Sequence, residues 1–165
     1  MARKAESGTP ALRLLTARGI AHVPRPYAHT AHEGFGDEAV AALRAGGLDV
    51  DEHRVFKTLL AEVDAHLVCA VVPVAGMLDL KALAAAAGGK KAVMADPARA
   101  ERSSGYVVGG ISPLGQRTPL PTFVDESAEQ FETVLVSAGR RGLQVELSPV
   151  DLIAATGARF AAIAR

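Results

Sequence analysis

The segment from Gly105 to Gly115 restricts the possible folds of this chain more than any other part of its sequence. It holds four glycines, a serine and a proline within eleven residues. Glycine gives the backbone access to positive φ and lets it approach a ligand closely, whereas proline fixes φ and removes a hydrogen-bond donor. A regular helix or strand therefore cannot run through the segment. Because Val107, Val108 and Ile111 are apolar, we expect a loop that packs on a core and presents backbone N–H groups. It lacks the Gly-Lys-Ser/Thr ending of a Walker A loop.

A second informative segment, from Val55 to Leu60, is rich in apolar and β-branched residues and predicts a strand. Alternation along a strand places Lys57 on the face of Val55 and Leu59, and Thr58 on the opposite face. Burying an unpaired cation is costly, and lysine is rarely buried. Taken alone, the segment favours a lysine whose stem lies on apolar surface while its ammonium reaches water. A functional lysine is the alternative.

Composition fits one compact domain of 165 residues in which 49% are hydrophobic but only 4% are aromatic. The formal net charge of +0 argues against a free-standing, salt-driven nucleic-acid binder, although it leaves room for a local basic patch. The single cysteine, Cys69, excludes an internal disulfide framework. The sequence shows neither a run of 18 apolar residues nor a signal-peptide pattern. We therefore expect a cytoplasmic protein without a membrane segment.

Helix caps, glycines and apolar runs predict an α+β fold with strands in the middle of the chain and helices at both ends. The sheet is expected to be closed or strongly curled. We expect residues 1–8, which are small and polar, to form a loose tail. We expect residues 9–165 to form a single domain. The predicted helices begin at Thr9-Pro10, Asp37, Asp79 and Ser148-Pro149, and end at Gly19, Ala45, Gly88-Gly89 and Gly157. The predicted strands lie around residues 55–60, 67–72, 92–94, 122–124, 133–136 and 144–147.

Side chains that often carry chemistry offer no clear protein nucleophile or metal site. His66 and Cys69, three residues apart in a strand, lie on opposite faces, so Cys69 reads as a buried structural residue. Three histidines, His22, His29 and His32, lack a complete ligand pattern. Pro24 and Pro26 break regular structure between them, which favours solvated loop histidines.

Ser112 does not lie in a Gly-x-Ser-x-Gly elbow, so it does not indicate a catalytic triad. The basic pairs Lys90-Lys91 and Arg140-Arg141 are most simply solvated charges. Contact with tRNA phosphates is the functional alternative.

Several separated motifs occur in a fixed order over roughly residues 9–165. They are Thr9-Pro10-Ala11, Phe35-Gly36-Asp37-Glu38, Phe56-Lys57-Thr58-Leu59, Ala95-Asp96-Pro97, the stretch from Arg102 to Gly115, Val136-Ser137 and Arg140-Arg141-Gly142-Leu143. This ordered set resembles the YbaK/EbsC family of aminoacyl-tRNA deacylases and is far more specific than any one motif. The most similar subgroup is the YbaK type, which removes cysteine from mischarged tRNA for proline.

The resemblance implies a mixed, barrel-like curled β-sheet flanked by helices, and a reaction that needs neither cofactor nor metal. In the YbaK type the cysteinyl thiol attacks its own ester carbonyl and leaves as a cyclic thiolactone. The expected partners are the 3′ end of an aminoacylated tRNA and prolyl-tRNA synthetase, which would supply tRNA identity.

The resemblance also implies roles for particular residues. Lys57 matches the family's essential lysine, which would hold the terminal adenosine or phosphate end of the aminoacyl-tRNA. The residues that match polar pocket positions are Tyr27, Thr58 and Ser137. The residues that match the backbone wall around the aminoacyl group are Gly109, Gly110, Ile111 and Ser112.

Two departures from the family pattern concern the shape of the pocket. Ala138 stands where the family often has glycine, and alanine does not easily take positive φ. The segment from His29 to Glu33 lacks an aspartate that the family pattern suggests. Besides Cys-tRNA(Pro), the sequence leaves open Cys-tRNA(Cys), another small amino acid as in Ala-tRNA(Pro), and a non-catalytic module that binds a synthetase or tRNA.

Overall fold

The structure, a computed structural model, describes residues 8–165. The loose tail predicted for residues 1–8 lies outside the described residues, apart from its last position. The helices in this range are α1 (Pro10–Ala17), α2 (Phe35–Ala45), α3 (Leu80–Ala86), α4 (Pro97–Ser104) and α5 (Pro149–Thr156), with short 3-10 helices at Glu52–Arg54 and Glu126–Gln130. The strands are β1 (Val23–Pro26), β2 (Phe56–Val63), β3 (His66–Pro73), β4 (Ala92–Met94), β5 (Thr122–Asp125), β6 (Val134–Arg140), β7 (Leu143–Leu147) and β8 (Arg159–Ala161).

The strands form two sheets in the described part of the chain. One sheet has the order β1-β7-β6, and the other has the order β4-β2-β3-β5-β8. In the larger sheet β2 and β3 form an antiparallel hairpin, whereas β5 pairs in parallel with both β3 and β8. A parallel bridge between Val55 and Leu135 connects the two sheets. The α+β class with mixed strand directions is therefore confirmed. Of the two expectations for the sheet, closed or strongly curled, the closed one is wrong, because the strands form two sheets that meet at this bridge.

Three of the four predicted helix starts are confirmed by capping hydrogen bonds, whereas α2 begins at Phe35, two residues before the predicted Asp37, and its N-cap Gly34 makes no side-chain cap bond. The side chain of Thr9 accepts from the N–H of Leu12 at 3.2 Å. Asp79 caps α3 in the same way, and Ser148 caps α5. A capping oxygen satisfies a backbone donor that the first helical turn leaves unpaired. These short polar residues therefore fix where the helices begin.

Strand β1 is a correction to the sequence analysis, because Pro24 and Pro26 lie within it instead of breaking regular structure. Proline cannot donate to a sheet, so it is tolerated mainly in edge strands. β1 is such an edge, since it pairs only with β7. Arg25, between the two prolines, donates two hydrogen bonds to Glu146 of β7, at 3.0 and 2.8 Å.

The segment around Gly105–Gly115 packs on the larger of the hydrophobic cores, as the sequence predicts. Ile111 and Leu114 of this segment are buried with residues of α1, β2 and β6. The hydroxyl of buried Tyr106 donates to the carbonyl oxygen of Leu114 at 2.7 Å, and burial raises the pKa of Tyr106 to about 12. The loop is therefore anchored to this core.

No helix within residues 8–165 has the length and apolar character needed to cross a membrane.

Candidate active site

A cavity of about 390 Å³ lies between β2, the start of α2 and the segment from Gly105 to Gly115, which we call the Gly-rich loop. Strand β2 contributes one wall from Phe56 to Leu60, and the first turn of α2 contributes a second. The third wall comes from the loop through Val108, Gly109 and Ile111. The two sheets and the loop thus enclose a space that is large enough for a small aminoacyl group and part of a nucleoside.

The structure brings most of the predicted site residues to this cavity. The predicted residues that line it are Lys57, Thr58, Gly109, Ile111 and Ser137. The other three predicted residues, Tyr27, Gly110 and Ser112, do not line it. Ser112 is fully buried, and its hydroxyl accepts a hydrogen bond from the N–H of Leu114 at 3.1 Å, so it shapes the turn behind the wall.

Lys57 provides the cation of the cavity wall. It is half-buried in β2, opposite Val72 in the register with β3. No carboxylate in residues 8–165 lies within 4 Å of its ammonium group. Among residues 8–165, Asp37 is the one acidic residue that lines the cavity. An ammonium group in such a position can attract an anionic or polar part of a ligand.

The loop wall depends on two adjacent glycines. Gly109 has φ of +90°, and a Cβ atom there would lie 2.7 Å from the ring of Phe35. A Cβ atom on Gly110 would lie 2.8 Å from the backbone of Arg140. Within residues 8–165 the N–H groups of Gly109 and Ile111 donate no hydrogen bond, whereas Gly110 N–H donates to the carbonyl oxygen of Val107. Because Gly109 and Ile111 both line the cavity, their N–H groups can donate to an oxygen atom of a ligand.

Gln144 is a cavity residue that the sequence analysis missed. Only 6% of it is exposed, and it lies opposite Ser137 in the antiparallel register of β6 and β7. Its Oε1 atom and the Oγ1 atom of Thr58 are both buried without a hydrogen-bond partner among residues 8–165. Buried polar atoms are almost always paired in native proteins, so two unpaired atoms, from two strands that line the same cavity, favour the binding of a polar ligand there.

Tyr27 lies next to this polar end of the cavity. Burial is the main cause that raises the pKa of its hydroxyl above the ordinary value, and interactions with Gly142 and Gln144 partly oppose it. Tyr27 is half-buried and packs on the small core beneath α2. It therefore interacts with the cavity residue Gln144 without lining the cavity itself.

The segment after Tyr27 is fixed by Glu38 of α2, which corrects the prediction of a solvated His29. Glu38 accepts from the N–H groups of Thr30 and Ala31 at 2.8 and 2.6 Å, and its other oxygen lies 2.6 Å from Nδ1 of His29. These hydrogen bonds, that of His29 first, lower the pKa of Glu38 to about 2. Half-buried His29 therefore helps to hold the loop that leads into Phe35.

The departure at Ala138 does not require a strained backbone. Positive φ falls on the next residue, Gly139, with φ of 104°. Ala138 is fully buried in the main core, beside an irregularity in the β6–β7 pairing between Ser137 and Arg140. The irregularity therefore takes its positive φ at Gly139, and the turn between β6 and β7 uses Gly142, with φ of 84°.

Cys69 is buried, as the sequence predicts, and it does not line the cavity. Its thiol is fully buried, and burial raises the pKa of this thiol to about 12. His66, three residues earlier in β3, is exposed. Among residues 8–165, no three His, Cys, Asp or Glu side chains are grouped so that they could hold a metal ion. The cavity can therefore bind and orient an ester through an amine, hydroxyls and backbone N–H groups.

Comparison with known proteins places this geometry in a family. Residues 37–155 match the aminoacyl-tRNA editing domain family. The chain is 35% identical to "Putative Cys-tRNA(Pro)/Cys-tRNA(Cys) deacylase EbsC" of Enterococcus faecalis, over 98% of this chain and 96% of that protein.

Solved structures with this fold include the hypothetical protein APE2540, with a TM-score of 0.80 and 25% identity over 94% of this chain and 99% of that one. A second, described as a putative trans-editing enzyme for prolyl tRNA synthetase, has a TM-score of 0.79 and 24% identity, over 94% of this chain and 95% of that one. The chain therefore belongs to the aminoacyl-tRNA editing domain family and, within it, to the YbaK/EbsC group of aminoacyl-tRNA deacylases.

Proposed function

We propose that this deacylase clears cysteine from mischarged tRNA for proline, and that the thiol of the cysteinyl group attacks the ester. The observation that carries this proposal is the composition of the cavity wall. It offers the amine of Lys57 and the hydroxyls of Thr58 and Ser137, but within residues 8–165 neither a histidine nor a cysteine lines it. Ester cleavage needs a nucleophile, and a cysteinyl substrate brings a strong one of its own.

The name of the Enterococcus faecalis relative gives independent support for cysteine as the amino acid. That protein is described as acting on both Cys-tRNA(Pro) and Cys-tRNA(Cys). In this proposal the cavity walls surround the aminoacyl end of the substrate, so they would select the amino acid and not the tRNA body. The proposal therefore includes Cys-tRNA(Cys) as a substrate of the same reaction.

In the proposed reaction the cysteinyl sulfur loses its proton and forms a bond to its own ester carbonyl carbon. The bond from that carbon to the ribose oxygen breaks, and the oxygen takes up a proton to leave as the free hydroxyl of the tRNA. Cysteine leaves as a thiolactone. Lys57 holds the terminal adenosine or phosphate end, and the N–H groups of Gly109 and Ile111 stabilise the negative charge that develops on the carbonyl oxygen.

The test is a deacylation assay with the purified protein on a panel of charged tRNAs. Cys-tRNA(Pro) should be cleaved fastest, and tRNA(Pro) carrying S-methylcysteine should be nearly inert although it resembles cysteine in shape. Serine-charged tRNA should also be slow, because a hydroxyl is a far weaker nucleophile than a thiol near neutral pH. Equal rates for cysteine and S-methylcysteine would show that water attacks, which would contradict the mechanism.

Two other results would replace the proposed substrate. Preferential cleavage of Ala-tRNA(Pro) would identify a deacylase for another small amino acid. Binding of charged tRNA without cleavage of any member of the panel would identify a non-catalytic module that binds tRNA or a synthetase.

A further inference from the structure

Arg141 lies outside the cavity but contacts two of its walls. Its Nε donates a hydrogen bond to the carbonyl oxygen of Val108 at 2.9 Å. Its guanidinium carbon also lies 4.6 Å from the centroid of the Phe35 ring, within the range of a cation–π contact. Val108 and Phe35 both line the cavity. One half-buried side chain therefore joins the Gly-rich loop to the first turn of α2.

The contact with Val108 fixes the orientation of a whole peptide unit. In a planar trans peptide the carbonyl C=O and the following N–H point in opposite directions. Because Arg141 holds the carbonyl oxygen of Val108, the N–H of Gly109 must point away from Arg141. The N–H of Val108 is held as well, since it donates to Glu101 of α4 at 2.8 Å.

This peptide unit would otherwise turn easily, because glycine accepts both signs of φ at little cost. Gly109 has φ of +90° and is followed by a second glycine. A flip of the Val108–Gly109 peptide would replace an N–H donor with a carbonyl oxygen. The loop therefore needs an external contact to keep one orientation, and Arg141 supplies it.

We propose that Arg141 is a positioning residue for deacylation, which aims the Gly109 N–H at the ester carbonyl oxygen. The ester's identity rests on the proposed function, whereas the clamp on the peptide does not. For Arg141 the sequence analysis gave two alternatives, a solvated charge and a contact with tRNA phosphates. The proposed positioning role differs from both. Its neighbour Arg140 is exposed, so both alternatives of the sequence analysis stay open for that residue.

The first test measures hydrogen exchange and needs no substrate. Arg141→Ala should increase exchange in a peptide that covers residues 105–115, where the Gly110 N–H bonded to Val107 is the protected reporter. Arg140→Ala is the matched control, since it removes the same charge but leaves the backbone that Gly110 contacts. Equal protection of this peptide in Arg141→Ala and the unmodified protein would overturn the clamp.

The second test separates positioning from phosphate binding. In deacylation assays Arg141→Ala should lower kcat roughly 10- to 100-fold, the size expected for a misplaced catalytic group, with KM changed by less than about twofold. Arg141→Lys should not restore kcat, because an ammonium cannot both stack on Phe35 and donate as a planar guanidinium does. If the alanine variant does not fold, Arg141→Lys is used for both measurements.

A phosphate contact would give the opposite pattern. KM would rise, Arg141→Lys would recover activity, and the salt dependence of KM would become shallower. That result would overturn the proposal. If the unmodified protein cleaves no charged tRNA, the proposed function fails, and the exchange experiment alone then decides whether Arg141 clamps the loop.

Discussion

At the scale of single residues, Lys57 is the charge that a substrate meets in the cavity. We predict that Lys57→Ala lowers kcat/KM for Cys-tRNA(Pro) while the protein stays folded. Loss of a charge-assisted contact costs about 1.5 to 3 kcal/mol, equivalent to roughly 10- to 150-fold in rate. Lys81→Ala, a loss of charge at an exposed position of α3, is the control and should change little. Near-normal turnover by Lys57→Ala in single-turnover assays would reject this role.

Cys69 supports a second prediction at this scale. Its thiol is fully buried, with a pKa of about 12, so it is neither accessible nor ionised near neutral pH. Cys69→Ala should retain turnover, although the small cavity that it creates should lower the stability by roughly 1 kcal/mol. Loss of activity in a variant that melts near the normal temperature would show that Cys69 takes part in catalysis.

Lys57 and Gln144 show how far single residues could be predicted. Lys57 was selected because the resemblance named it, since the strand pattern alone favoured a solvated side chain. Gln144 alternates with Leu143 and Val145 and thus reads as an ordinary solvent-facing position of a strand. Only the approach of the second sheet turns this face towards the cavity, and that contact has no local signal in the sequence.

At the scale of elements, the Glu38 contacts make the loop before α2 sensitive to acid. The folded-state pKa of Glu38, about 2, lies below its ordinary value of 4.5. The stabilisation is therefore present above pH 4.5 and is lost as the pH falls towards 2. We predict that Glu38→Gln lowers the melting temperature near pH 7, and that the difference from the unmodified protein narrows between pH 4.5 and 2.

The check is a series of thermal melts of both proteins across this range. Glu33→Gln, which changes an exposed carboxylate in the same segment, serves as the matched control. A melting difference for Glu38→Gln that stays constant down to pH 2 would contradict this assignment.

Elements with strong local signals were predicted, and those without them were not. The caps at Thr9, Asp79 and Ser148 specify their helices through contacts within one turn. Helix α4 was missed although Asp96 caps it, because it buries only Ala100 and Ser104 and so has no apolar periodicity. Edge strand β1 was missed because proline is a general sheet breaker, and edge status depends on which strands assemble around it.

At the scale of the whole molecule, the net charge of +0 limits how tightly the protein can hold tRNA by itself. Few phosphates are neutralised by a surface without a basic excess, so binding should be weak with a shallow dependence on salt. We predict that uncharged tRNA(Pro) and an unrelated tRNA bind with similarly low affinity in an anisotropy titration, and that prolyl-tRNA synthetase adds tRNA selectivity. Tight, tRNA(Pro)-selective binding by the protein alone would contradict this.

The arrangement of the molecule as two sheets could not be read from the sequence. The strand pattern indicated a curled sheet, and each strand other than β1 and β8 was located approximately. The parallel bridge of Val55 with Leu135 joins residues 80 positions apart. Such a pairing depends on the packing of both sheets, and the cavity between them depends on it in turn.

The hydroxyl of Thr58, which has no hydrogen-bond partner among residues 8–165, sets stability against activity. A buried polar atom without a partner costs about 1 to 3 kcal/mol, so this hydroxyl lowers the stability of the fold. Thr58→Val should therefore raise the melting temperature while it slows cleavage of Cys-tRNA(Pro), and a calorimetric scan beside an activity assay would detect both changes. A variant that is less stable and fully active would contradict this reasoning. Selection for thermal robustness alone would thus be expected to remove this hydroxyl, and with it part of the enzyme's accuracy.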